Sequence, residues 1–215
     1  MVSLGLYVGG LFSAAALSQT PVAATSTPIQ QQSPIVAAPT TRPATTTIAT
    51  PASKEIRFKA YLTGYTYWDN TPPGSAAIAR PIIHTQAGGT GTYADPITIA
   101  VGHSLAGGVH TLDYAPGTRF YLPYLKKYFI VEDICGDGPT PELGPCHTGY
   151  QGYPWLDLWL GGSEGSREQT DACAAAITEV HTIIQNPEPH YTVEVGEVFD
   201  NGACALQFSD IPVLL

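Results

Sequence analysis

The chain has 215 residues, of which 9 are basic and 18 acidic, giving a net charge of −9 with only 13% of side chains charged. That balance excludes the basic footprint of a nucleic-acid-binding surface and the polybasic stretch of a membrane-surface protein. With 22 Gly, 19 Pro and 12 Tyr against a single Met, the composition is that of a turn-rich, β-rich protein large enough for one good-sized domain.

Charge and hydropathy then divide the chain. Residues 1–53 carry one charged side chain, Arg42. The apolar run from Leu4 to Leu17 is shorter than the roughly 20 residues a bilayer-spanning helix needs. It fits the core of a secretory signal peptide over residues 1–18, so the mature chain is expected outside the cell and off the membrane. Residues 19–53 are rich in Ser, Thr, Pro and Ala and have little to bury. They cannot offset their ordering entropy, and they read as an extended, O-glycosylated tail. Residues 54–215 are the expected folded domain.

Within it, Ile56 to Trp68 (IRFKAYLTGYTYW) is aromatic and β-branched, with Gly64 as a bend, and Asn70 to Gly74 (NTPPG) is a turn. Ile97–Val101, Arg119–Leu122 and Tyr128–Ile134 read as strands between turns, and Trp155–Leu160 as another that stops at Gly161-Gly162. Ala172, Ala176, Val180 and Ile184 recur at helical spacing, which predicts one helix within residues 163–185. Alternation of Tyr191, Val193 and Val195 predicts a final strand over 190–198. Cys135, Cys146, Cys173 and Cys204 allow three pairings, of which 135–146 and 173–204 are favoured. No Cys-x-x-Cys pair is present, the histidines lack partners at ligand spacing, and no metal or other cofactor is expected.

Candidate chemistry lies on the strands. In WLDLW, Leu156, Leu158 and Leu160 share one face, and Trp155, Asp157 and Trp159 share the other. A carboxylate between two indoles suits a sugar ring, although the same pattern fits a structural acid among core tryptophans. In YFIVEDI, Phe129, Val131 and Asp133 form one row, so Asp133 ends an apolar edge, where an acid's pKa rises towards general-acid use. Glu132 falls on the other row, expected to face solvent. Asp69 follows Tyr65, Tyr67 and Trp68; Asp95 precedes Pro96 and also fits a turn. Ser104 in GHSLAG lacks the second Gly of a nucleophile elbow, since Ala106 stands there. Asp137 and Glu142 do not follow EF-hand spacing.

In order, YADPITIAVG, PGTRFYLP, YFIVEDICG and WLDLWLGG resemble double-psi β-barrel proteins. The pattern is similar to the three-aspartate domain of membrane-bound type A lytic transglycosylases and of spore resuscitation-like factors. That resemblance implies Asp95, Asp133 and Asp157 as the three acids. GYTYWDN is similar to the start of family-45 glycoside hydrolases and expansins, which implies Asp69 as a base. The whole block also resembles a group of secreted fungal proteins, through TPPGS, GTYADPIT, YLPYLKKYFIVED and DLW. Three departures stand out: Pro116-Gly117-Thr118 lacks the usual Leu, Cys135 replaces a Thr-Gly context, and Asn70-Thr71 replace the family-45 Cys-Cys run.

The expected fold is therefore mainly β: a six-stranded double-psi β-barrel with one added C-terminal helix. The expected function is cleavage of a β-linked polysaccharide by a secreted monomer. Asp133 would protonate the leaving oxygen, and Asp157 or Asp69 would activate water or stabilise the cation. Tyr65, Tyr67, Trp155, Trp159 and Asp95 would bind substrate. The alternatives are an expansin-like binder that cuts nothing, and a cell-wall structural or interaction protein.

Overall fold

The computed structural model describes residues 54–206 apart from Asp137. The expected signal peptide and tail, residues 207–215 and Asp137 lie outside the described residues. The first strands are β1 (Ile56–Tyr65), β2 (Ile97–Val101), the short β3 (His103–Ser104) and β4 (Thr111–Leu112), then β5 (Arg119–Leu122) and β6 (Lys127–Ile134). There follow helix α1 (Pro145–Thr148), β7 (Trp155–Trp159), helix α2 (Arg167–Ile177), β8 (Glu179–Gln185), and the short pair β9 (Phe199–Asp200) and β10 (Ala203–Cys204).

Six strands close into a barrel in the order β1-β7-β2-β6-β5-β8. The β1/β7 and β2/β6 pairs are parallel and the other barrel pairs antiparallel, a mixed closure compatible with a double-psi barrel. Closure leaves no free barrel edge. Side chains alternate across each strand, so one row of each fills the interior: Leu62, Ile99, Val101, Leu156, Leu158 and Val131 are all fully buried. Gly64 is not a bend, because β1 runs through it. A Cβ there would lie 2.6 Å from Leu160 Cδ1, so Gly64 is a packing glycine. Both favoured disulfides are present, Cys135–Cys146 and Cys173–Cys204.

Two expected elements differ. The helix expected within 163–185 is helix only over Arg167–Ile177, opened by a capping box between Ser166 and Gln169. Residues 179–185 form strand β8, which pairs with β1 and β5 and closes the barrel. Thr178, Val180, Thr182, Ile183 and Ile184 are β-branched and favour the strand, and two vacant sheet edges turn that preference into structure. The strand expected over 190–198 is irregular chain instead. The buried Lys127 ammonium takes the carbonyls of Glu194 and Gly196, and Gly196 N–H donates to Thr90 O. Tyr191 is buried while Val195 is 71% exposed, so the alternating residues do not share an environment.

Candidate active site

Strand register assembles the site. Thr63 pairs with Asp157, Asp157 with Ala100, and Ala100 with Asp133, giving one rung across β1, β7, β2 and β6. Leu62, Leu156, Leu158, Ile99 and Val101 occupy the alternating positions on either side of this rung, so its side chains leave the sheet on the face opposite theirs. Ala100 leaves space between the two carboxylates.

A β-bulge puts Asp133 there. Ile99 pairs with Val131 and Ala100 with Asp133, so Glu132 is the extra residue. In strict alternation Asp133 would continue the core row of Phe129 and Val131, as the sequence suggests. The bulge breaks that row and turns Asp133 outward, the re-aiming for which bulges serve.

The cavity over this rung has a volume of about 430 Å³ and is lined by Tyr65, Asp69, Asn70, Ala100, Asp133 and Asp157, with walls from residues 77–79 and 134–136. Asn70 organises one wall: its side-chain amide donates to the carbonyls of Ser75 and Ala77, and its oxygen accepts from Thr71 N–H. Asp133 accepts hydrogen bonds from Tyr65 Oη (3.0 Å), Ala79 N–H (3.0 Å) and Ile134 N–H (2.9 Å). Burial raises its pKa, partly offset by those donors and by the Arg80 charge. Asp157 Oδ1 accepts from Thr63 Oγ1 at 2.6 Å. Burial pushes its pKa up to about 7; the Thr63 bond pulls against this, and the charges of Asp69 and Asp133 add to it. Burial and the Asp133 charge also hold the Tyr65 phenol well above its usual range, so it stays protonated as a donor.

Asp69 lines the cavity, but its Oδ1 also accepts from Thr66 N–H (2.6 Å) and Thr66 Oγ1 (2.7 Å), the turn-forming role its position allowed. Trp159 is buried edge-on against Tyr65, and Tyr67 packs against Trp68; neither lines the cavity. Trp155 is half-buried two residues before Asp157 on the same strand face, donates to Thr63 and packs edge-on against Tyr61, on which the exposed Tyr150 stacks at 4.2 Å.

Asp95 stands apart from the other three acids, outside the cavity. It accepts from His84 Nε2 at 2.9 Å and from Thr90. The other nitrogen of His84 lies 2.6 Å from Glu132 Oε2. Glu132 does not face solvent: it is fully buried beneath residues 79–84, and its Oε1 accepts the N–H groups of Ile82, Ile83 and His84. Burial would raise its pKa, but the amide and imidazole of His84 and the amide of Ile83 hold it below the usual range. Burial likewise opposes charge on His84, but Asp95 and Glu132 outweigh it and raise its pKa. A ring that donates to two carboxylates is the doubly protonated form. This clip was missed because His84 is far from both partners in the chain. Thr63 was missed too, although a polar residue between Tyr61 and Tyr65 in an outward row was a legible signal. Among the described residues, no three His, Cys, Asp or Glu side chains gather in a way that could hold a metal ion.

The family model described as "DDB_G0273701 N-terminal domain" matches residues 57–205, which take in all six barrel strands but for the first residue of β1. The chain belongs to this family. It is 35% identical over 162 residues to the Dictyostelium discoideum protein named "Uncharacterized protein DDB_G0273701/DDB_G0273221", covering 73% of this chain. The chain spans 63% of that relative's length. No solved structure matches the chain.

Proposed function

We propose that the protein is secreted and cleaves β-linked polysaccharides, as a glycoside hydrolase or a lytic transglycosylase. The supporting observation is the pair Asp133 and Asp157 flanking Ala100 on one rung of a solvent-reaching cavity. Asp157, whose burial lifts its pKa to about 7 so that it stays largely protonated below that pH, gives its proton to the glycosidic oxygen. Asp133, with three donors that favour its charged form, takes a proton from water or stabilises the cation. The sequence favours Asp133 as the acid; the hydrogen bonds favour the opposite assignment. Asp133 and Asp157 stand two strands apart, and the separation of their carboxyls sets the outcome, about 6.5–9.5 Å for inversion against about 5–5.5 Å for retention. The Tyr61, Trp155 and Tyr150 cluster, two rungs away, offers the aromatic surface on which a sugar's apolar side stacks.

A binding-only, expansin-like function is the second reading, favoured by Asp133 being held by three internal hydrogen bonds as a structural acid would be. Release of reducing ends or anhydro-sugars from a panel of β-glucans, chitin and peptidoglycan separates the two. An enzyme releases product as wild type and loses it as Asp133→Asn or Asp157→Asn while still binding. A binder retains glycan in all three forms and releases nothing.

A further inference from the structure

Thr63 and Trp155 form a chain of hydrogen bonds that runs from the aromatic cluster to Asp157. Trp155 Nε1 donates to Thr63 Oγ1 at 2.7 Å, and Thr63 Oγ1 lies 2.6 Å from Asp157 Oδ1. An indole N–H can only donate, so one lone pair of the Thr63 hydroxyl is occupied by Trp155. The single hydroxyl hydrogen is then free to lie along the short contact to Asp157. Sheet register fixes all three side chains: Thr63 faces Asp157 directly, and Trp155 faces Tyr61 two rungs away, on the same face of the sheet. The Trp155 ring is held in place edge-on against Tyr61, with centroids 4.7 Å apart.

We propose that Trp155 and Thr63 are positioning residues that keep Oδ1 of Asp157 as a hydrogen-bond acceptor and so direct the Asp157 proton to Oδ2. The proposal rests on Asp157 being the proton donor of the preceding section. An unconstrained carboxylic acid divides its proton between two oxygens, only one of which can be aimed at a given leaving group. Here one oxygen is already committed to the sheet. The arrangement also tunes acidity, since a hydroxyl donating to the ionised carboxylate favours that form and restrains the rise caused by burial. The other titratable groups around Asp157 are Asp69 from the turn after β1, Asp133 from β6 and Tyr65 from β1, with Arg80 beyond Asp133; Ala100 on β2 adds none. Asp69 and Asp133 both disfavour charge on Asp157, which leaves the direction of the Thr63 bond to oppose them.

That direction decides the sign of a titration shift. Protein labelled with ¹³C at Asp carboxyls is titrated by NMR as wild type, Thr63→Val, Thr63→Ser and Trp155→Phe. Thr63→Val, which keeps the shape and removes the hydroxyl, raises the Asp157 midpoint by about one unit. Thr63→Ser restores the wild-type midpoint. Trp155→Phe, which keeps a ring against Tyr61 but frees the hydroxyl to rotate, also raises the midpoint, by less than Thr63→Val. A midpoint that falls or stays put in Thr63→Val overturns the proposal; a fall would mean that protonated Asp157 donates to Thr63. Should Thr63→Val fail to fold, Trp155→Phe decides alone, and an unchanged midpoint there overturns the proposal. The titration uses no glycan. A protein that cuts no polysaccharide, yet shows these shifts, overturns the enzymatic function and leaves the hydrogen-bond direction standing.

Discussion

Replacing Glu132 with Gln tests the clip that holds residues 79–84 over the barrel. In wild type, one carboxylate oxygen accepts three amides, from Ile82 at 3.2 Å, Ile83 at 2.7 Å and His84 at 2.9 Å. The other meets His84 Nδ1 at 2.6 Å and Thr98 Oγ1 at 3.2 Å. Glutamine keeps an acceptor for the amides but removes the charge, so each bond falls from the roughly 1.5–3 kcal/mol of a charged acceptor towards about 1 kcal/mol. It also turns an amide N–H₂ towards His84. Breaking one side of a buried ion pair costs roughly 3–5 kcal/mol, and the retained oxygen places Glu132→Gln at the low end, about 3 kcal/mol. At roughly 2–4 °C per kcal/mol for a domain of this size, Tm falls by about 6–12 °C. Urea unfolding at pH 6 measures the loss, and hydrogen exchange should show the Ile82, Ile83 and His84 amides opening most. A loss below about 1 kcal/mol, or unchanged exchange at those three amides, would refute the clip.

Two pH effects follow from the same electrostatics. The folded-state pKa of His84 is raised, so its contribution is complete below the ordinary histidine value of about 6.5 and is lost as pH rises through the raised value. The stability gap between wild type and His84→Gln should therefore narrow from pH 5 to pH 9; a constant or widening gap would contradict the paired imidazolium. For Asp157 the folded pKa, about 7, also lies above the unfolded one. The native state then binds more protons, so stability falls between about pH 4 and pH 7 and levels off above. Relative to Asp157→Asn, wild type should lose up to about 4 kcal/mol between pH 4 and pH 8 in denaturant titrations. Parallel curves would show that Asp157 is not buried as a neutral acid.

Five of the six barrel strands, β1, β2, β5, β6 and β7, were legible because their sequences are short, β-branched or aromatic and separated by Gly and Pro turns. The alternation in WLDLW correctly separated the buried leucines from the row that carries Asp157. Two features escaped local pattern. Spacing of small and β-branched residues from Ala172 to Ile184 is compatible with one helix, and only the partners waiting on β1 and β5 divide it into helix and strand. The bulge at Glu132 is equally invisible, because an extra residue shows only against a partner strand. It changes the environments of both neighbouring acids, turning Asp133 to the cavity while Glu132 is buried beneath a loop. Asp69, Asp133, Asp157 and Tyr65 converge on one cavity, whereas Asp95 belongs to the His84 clip. Its separation depends on the path of residues 76–95, which no local motif encodes.

The most direct measurement is the pH dependence of kcat/KM on a soluble β-linked oligosaccharide taken from whichever polymer the panel identifies. If Asp157 supplies the proton and Asp133 acts as the charged partner, the profile is bell-shaped with its upper limb near the Asp157 value of about 7. Asp157→Asn then removes the upper limb together with most of the activity, and Asp133→Asn removes the lower. Cleavage by both variants at the wild-type rate, or a profile flat through pH 7, would contradict a paired-carboxylate active site on this rung.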